Sequence, residues 1–504
     1  MKKTLRFTGG HILDIDSLEV GEQFLTRAHN VHTRKGFPSR VGGRRTAYGS
    51  MPTDPFHLLN LQLNTFNWWM VFGPNDIWAL EGANQNDISY TGQIAIGDPF
   101  EWSSTLLNGI PVFTNGKDPL LYWTGDASDN ADVVNDWPAG VVCKYVVAFK
   151  YHLFALNIDD PVNGLIDNLI LHSDAAEPGT LPASWTPAPG NEAGFFALSG
   201  TPGRVICGVP LGQQLMIYKP TSVYAIEYAG QQPDNIFTNR PVLTDLGALG
   251  PHCVSAHGAQ HLVLGNDDVV LTDGINVKSI AENRIKTFLA NSIDEVYAQN
   301  SFVVRDLNRR ETWVCVPESG SQFATVAHIW DERRDTWVTR DLTAARYGTT
   351  GYVTDEIVDT TWDGDSQIWD LDVSAWNAPT TGSITRVVIA EDDEIFVEDT
   401  TDPTSISASI EKHDLSLDDD SQLKLITRLW IRGTGAAFAA LQFRLGFRNS
   451  PDDNITWQAF AAVEADGTPC EIAGRYISIQ VQSTGTEQWT IDRIILEGEY
   501  VGPY

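Results

Sequence analysis

The chain has 504 residues with 65 Asp and Glu against 34 Lys and Arg, a formal net charge of −31. A body that acidic repels phosphate backbones and excludes conventional nucleic-acid binding by its surface. Five scattered cysteines without a C-x-x-C pair exclude a disulfide framework or a thiolate zinc site, and no run approaches the roughly 18 apolar residues of a membrane span. The length exceeds what one core fills, so two or three domains are expected. The 42 Gly, 25 Pro and 16 Trp against 4 Met predict many turns and rigid strand faces.

In chain order, residues 1–52 read as a basic, extended N-terminal arm. Within residues 1–50 there are nine Lys and Arg against four Asp and Glu, which leaves 25 against 61, a net −36, for the remainder. The stretch NVHTRKGFPSRVGGRR sets its cations among glycines and has too little apolar content to fold alone. Arg34, Lys35, Arg40, Arg44 and Arg45 are the candidate assembly-interface residues, because an arginine fork binds carboxylates in pairs and the rest of the chain supplies them.

Residues 53–402 read as a β-propeller-like domain. Apolar runs broken by polar turns recur at Trp68–Gly82, Ile110–Gly125, Val146–Asn157, Gln214–Tyr228, His261–Gly274 and Thr385–Asp399. One pattern is written twice, DLNRRETWV from Asp306 and DERRDTWV from Asp331, a polar turn before Thr-Trp-Val. A spacing of roughly 40 to 50 residues per pair of hairpins fits four-stranded blades, about six to eight of them, and favours a propeller over an elongated stack of sheets. The one helical candidate is Ile280–Asn291, with Ile285, Phe288 and Leu289 on one face.

After an acidic stretch from Glu391 to Asp420 the strands lengthen, and residues 403–504 read as a C-terminal β-sandwich. Its segment Ser450–Trp457, SPDDNITW, resembles the Asp-box hairpin of sialidase-like propellers with Asn454 in the glycine position; in that motif Ser and Asp hold a turn and do no chemistry. The loop Asn157–Gly164 lacks the closing glutamate of a calcium loop and reads as a plain turn. The histidines show no H-E-x-x-H, and neither G-x-S-x-G nor a phosphate loop occurs, so no catalytic, metal or cofactor residue is nominated and an enzyme is not expected. Carboxylate pairs such as Asp363/Asp365 and Asp392/Asp393 read as solvated turns.

The arm with Asn30, Gly36, Arg40, Gly42 and Gly43 resembles the N-terminal signature of tail nozzle proteins of short-tailed bacteriophages, the packaged-DNA stabilisation proteins. The segments Asn168–Trp185, Thr361–Trp376 and the closing GRYISIQVQSTGTEQWTIDRIILEG are similar to that family's later motifs, in the same order. The resemblance implies a virion structural protein made in the host cytoplasm: a homo-hexameric ring beneath portal and adaptor, bearing tail fibres or spikes. Genomic DNA would leave through its lumen, retained until then by loops such as Asn157–Asp167 or Asp355–Ser383, without membrane insertion. The alternative is a carbohydrate-binding or depolymerising tail protein, with exposed Trp and Tyr as sugar platforms and two spaced carboxylates.

Overall fold

The computed structural model describes residues 1–504 except 64–65, 83, 93, 96, 231–235, 319, 355–382, 401–403, 436–439 and 504. The sequence segment Thr361–Trp376, Asp363/Asp365 and nearly all of the loop Asp355–Ser383 therefore lie outside the described residues.

Five four-stranded antiparallel sheets follow one another, each made of consecutive strands. Their innermost strands are His57–Leu63, Ser103–Leu107, Val142–Phe149, Cys207–Leu211 and Val254–His257. Each outermost strand of these five is short or largely exposed, ending blade five at Val277–Ser279. Turn chemistry sets the register. Asn108 (φ 55°) and Gly109 (φ 86°) make the two-residue hairpin of the second blade, a left-handed pair that Asn-Gly adopts at low cost and whose twist matches the strands it joins.

The sixth blade consists of Phe302–Asp306, Glu311–Val316, Ala324–Asp331 and the beginning of a 19-residue strand, Thr336–Thr354. The duplicated sequence pattern proves to be one turn built twice in this blade. Asp306 Oδ1 accepts from the N–H groups of Asn308 and Arg309, and Asp331 Oδ1 from those of Arg333 and Arg334. A left-handed residue then leads into Thr-Trp-Val, Arg310 in the first copy and Asp335 in the second.

The same long strand continues into the seventh blade, where Ala345–Thr354 pair with Ser383–Glu391. Glu394–Thr400 come next, and the outermost strand is Gly43–Tyr48, supplied by the N-terminal segment. The far half of the long strand also lies beside His57–Leu63, so the innermost strands close into a ring of seven blades among the described residues. At that closure Trp69 Nε1 and Asn67 Nδ2 donate to the Tyr352 carbonyl (3.0 and 2.8 Å), and Tyr352 N–H donates to Asn60 Oδ1 (3.0 Å).

Two sheets form the C-terminal sandwich. One holds Ala408–Leu415, Tyr476–Ser483 and Gln442–Arg448; the other holds Gln422–Thr434, Thr490–Pro503 and Thr468–Gly474. The N-terminal segment has the extended backbone expected of it, yet its strands are inlaid in the body. Lys2–Leu5 pair with Thr490–Pro503, and Arg27–His29 pair on one side with the long propeller strand and on the other with Ala408–Leu415. One sheet thus runs from blade six into the sandwich.

A single apolar core crosses the same boundary. Leu5, Phe7, Leu25, Ala28 and Val31 pack with Trp313 and Ile329 of blade six and with Ile431, Ile479 and Leu496 of the sandwich. The expected helix is shorter than read, Lys286–Ser292, with Leu289 buried and Phe288 turned outward. The Asp-box-like segment is a hairpin turn in which Asp453 Oδ2 accepts from Ser450 N–H (3.0 Å). The loop after Asn157 is a hairpin in which Asp160 Oδ1 accepts from the N–H groups of Val162 and Asn163.

Candidate functional site: the N-terminal seam and the propeller axis

The nominated cations fall along the line where the N-terminal segment meets the seventh blade. Arg34 binds Glu311 through both oxygens (2.6 and 2.7 Å) and reaches Asp399 Oδ2 with its remaining nitrogen (2.5 Å). Arg309 meets the same Asp399 oxygen at 3.1 Å and its backbone carbonyl at 2.7 Å. Burial alone would raise the Asp399 carboxyl, but Arg34, Arg309 and Arg340 outweigh it and hold the group well below the usual carboxylate range. For Arg34 burial works to lower the guanidinium pKa, and Asp399 and Glu311 together drive it upward.

A second knot lies beside the first. Arg340 pairs with Glu398, both side chains under 5% exposed, and Arg44 binds Glu391 at 2.6 Å while stacking 3.6 Å above the Phe396 ring. Arg40 is fully buried and, among the described residues, has no carboxylate partner. Its fork instead donates to four carbonyls, those of Val41, Thr404, Gly485 and Thr486, which ties the seam to both the seventh blade's end and the sandwich. Arg45 is half-buried on the blade-closing strand opposite Val397, and Lys35 is exposed.

Thus Arg34, Arg40 and Arg44 are engaged by carboxylates and carbonyls of their own chain, and only Lys35 of the five stands exposed. The attraction between basic arm and acidic body holds, within one molecule. Removal of residues 1–50 would strip buried side chains from the main core, so a folded truncated monomer is not the expected product.

The propeller axis is narrow. Innermost strands from blades one to four and seven, with Pro251 and His252 at the entry to blade five, surround a cavity of about 220 Å³. His57, His252 and Tyr347 approach one another there, with ring centroids 4.4 to 5.3 Å apart. Burial pushes His252 down to about 4 and Tyr347 well above the usual phenol range, so both stay uncharged at neutral pH. His57 Nε2 bonds to Ser104 Oγ at 2.8 Å, linking blades one and two. Such an axis binds blades together and is far too small to pass a DNA duplex.

Other histidines hold blades in the same manner. His261 bridges the Tyr218 hydroxyl (2.8 Å) and the Pro210 carbonyl (3.0 Å), and His152 Nδ1 meets the Ser173 carbonyl at 2.9 Å. Among the described residues no group of three His, Cys, Asp or Glu is arranged to hold a metal ion. No spacing in the sequence signalled the seam's carboxylates, Glu311, Glu391, Glu398 and Asp399, which are four among 65 acids.

No family model matches the chain, and no curated protein matches it. Among solved structures, PorZ, an essential bacterial surface component of the type-IX secretion system of Porphyromonas gingivalis, is similar over 77% of this chain and 44% of its own, at 8% identity and a TM-score of 0.37. The WD40 β-propeller domain of Doa1 is similar over 70% of this chain and 97% of its own, at 9% identity and a TM-score of 0.36. The chain spans less than half of PorZ, and the propeller assignment rests on the strand order above.

Proposed function

We propose that this chain is a structural subunit of a virion tail, the nozzle that closes the tail tube beneath portal and adaptor in a short-tailed bacteriophage, where copies form a ring and the genome leaves between them. The observation that carries this reading is the common core of propeller and sandwich, sealed by the N-terminal segment. A tube wall under internal load needs subunits whose parts do not hinge, and a sheet and a core running through both halves supply that stiffness. The ordered sequence motifs supply the family to which such a wall part is similar.

In this reading the lumen lies between subunits, since each propeller axis is narrowed to a small cavity by His57, His252 and Tyr347. With a net charge of −31 per copy, part of the acidic surface would line that lumen and let DNA slide without phosphate contacts. One observation weighs against the alternative of a sugar-binding tail protein: among the described residues no tryptophan is exposed, which leaves exposed tyrosines such as Tyr151 as the aromatic platforms.

The test is electron microscopy of the purified protein alone and with its virion neighbours. A ring with an axial channel walled by carboxylates supports the reading. A protein that stays monomeric with those neighbours, or a ring with a neutral or basic channel, overturns it.

A further inference from the structure

The turn written twice in blade six carries charges that the tail reading does not use. One copy joins the first and second strands of the blade and the other joins the third and fourth, so in an antiparallel sheet both fall at the same end, where Glu332 N–H donates to the Arg310 carbonyl (3.0 Å). Each copy engages its own carboxylates. Asp306 and Asp331 are buried and hold the turns, Glu311 and Glu332 are gripped through both oxygens by Arg34 and Arg305, and Asp335 accepts from Trp330 Nε1 (2.9 Å).

The outer arginines of the same turns are left over. Arg310, Arg333 and Arg334 are exposed and, among the described residues, none of them meets a carboxylate. Arg333 reaches only the Asn308 carbonyl (3.4 Å), and Arg334 reaches the Arg34 carbonyl (3.3 Å), which brings it beside Lys35, also exposed. Leu307, 59% exposed, stands in the first of the two turns. The result is a cationic patch with an apolar residue in it, on a chain whose net charge is −31.

Arginine forks bind carboxylates and phosphates alike. A DNA duplex fits this patch less well, because it would also face the acidic surface of the rest of the chain. Copies of the chain at −31 each repel one another unless a cationic area on one meets carboxylates on the next, and the patch supplies that area. A patch of one sign does not complement itself. The contact it makes therefore joins different faces of two copies, the kind of contact that closes into rings.

We propose that the paired arginine turns of blade six, with Lys35, are the docking surface for a carboxylate-bearing face of the neighbouring copy. The proposal rests on the ring reading above and names one side of the contact between its subunits.

The experiment compares ring formation of the full chain, with its virion neighbours, by electron microscopy and sedimentation. The blade-six variant carries Arg310→Glu, Arg333→Glu and Arg334→Glu together. A control carries Lys117→Glu, Arg204→Glu and Arg240→Glu, exposed cations on or beside blades two to four, and changes the net charge equally. The blade-six variant is expected to weaken association of copies at least about tenfold, with the control within about threefold of the wild type. Carbodiimide coupling should also join the Lys35 amine to an Asp or Glu of another copy, read by mass spectrometry of mixed ¹⁴N and ¹⁵N chains, and Lys35→Arg should lose that link. Three results overturn the docking surface without touching the ring reading: a blade-six variant that forms rings as tightly as the wild type, a Lys35 link that is absent or confined to one chain, or a DNA duplex retained by the wild type and released by the variant. A wild type that never forms rings overturns the ring reading and this proposal with it. If the blade-six variant does not fold, the Lys35 link decides alone.

Discussion

Blades one to five and the joint of blades six and seven with the sandwich are built by opposite rules. Each of the first five is a run of consecutive strands whose core is apolar, as where Phe72, Trp102 and Phe113 meet between blades one and two. Their ion pairs are more exposed than those of the joint; Arg240 and Glu227 are 58% and 40% exposed, Lys144 and Glu101 25% and 22%. At the joint, strands from residues 2–48 pair with strands near 340, 395, 410 and 495, and the charges are buried. The difference teaches that the propeller repeats locally but is closed and mounted non-locally, by electrostatics inside a low-dielectric seam where an unpaired charge is costly.

The largest expected effect breaks that closure outright. Deleting residues 1–52 removes the outer strand of blade seven and leaves the pockets of Leu5, Phe7, Leu25 and Val31 empty. At about 2–5 kcal/mol for each large side chain, the loss exceeds a typical stability of about 5–15 kcal/mol, so the truncated chain should be insoluble or unfolded by circular dichroism. Supplying residues 1–52 as a separate polypeptide during refolding should recover some folded protein, because the segment pairs by strand addition, antiparallel at residues 2–5 and 43–48.

Next comes the charge at the seam's centre. Asp399→Asn leaves Arg34 and Arg309 facing a neutral amide and is expected to cost about 3–5 kcal/mol in urea unfolding. The matching change in blade five, Asp273→Asn, alters an exposed turn whose Oδ1 accepts from the N–H groups of Ile275 and Asn276, and should leave the unfolding midpoint nearly where it was. Equal losses in the two variants would erase the distinction between the regions.

Ring closure gives a smaller and purely steric effect. Gly351 lies where blade seven meets blade one, and a Cβ there would fall 2.4 Å from the Trp69 ring and 2.7 Å from Asn60 Cβ. Gly351→Ala should cost about 1–3 kcal/mol, read as a lower thermal midpoint, with Trp69 fluorescence reporting the displaced ring.

These contrasts also explain what the chain discloses when read as text. Six of the hairpins, the duplicated turn before Trp313 and Trp337 and the strand-rich end were legible because alternation and turn residues act over about ten positions. The seven-blade closure was not, because its last strand comes from residues 43–48. Arg34 in isolation resembles a solvent-facing cation, and its carboxylates sit 277 and 365 positions away.

The last effect is a pH dependence confined to the joint. Lys412 carries its ammonium into the sandwich edge, where it donates to the carbonyls of Val20 (2.7 Å) and Gly21 (3.0 Å) of the N-terminal segment. Burial pushes its pKa down to about 8, against the opposing pull of Glu22 and Asp414. The unfolded chain therefore holds this proton over pH 8 to 10.5 while the folded chain has released it, and stability rises with pH wherever the unfolded state binds more protons. Below pH 8 both states are charged and the full desolvation cost remains; above 10.5 both are neutral. Lys412→Met has no such proton, so its difference in stability from the wild type should be constant below pH 8 and shift in favour of the wild type from there to 10.5. A difference that stays flat across that range would mean that the ammonium is solvated and the joint at this point is open to water.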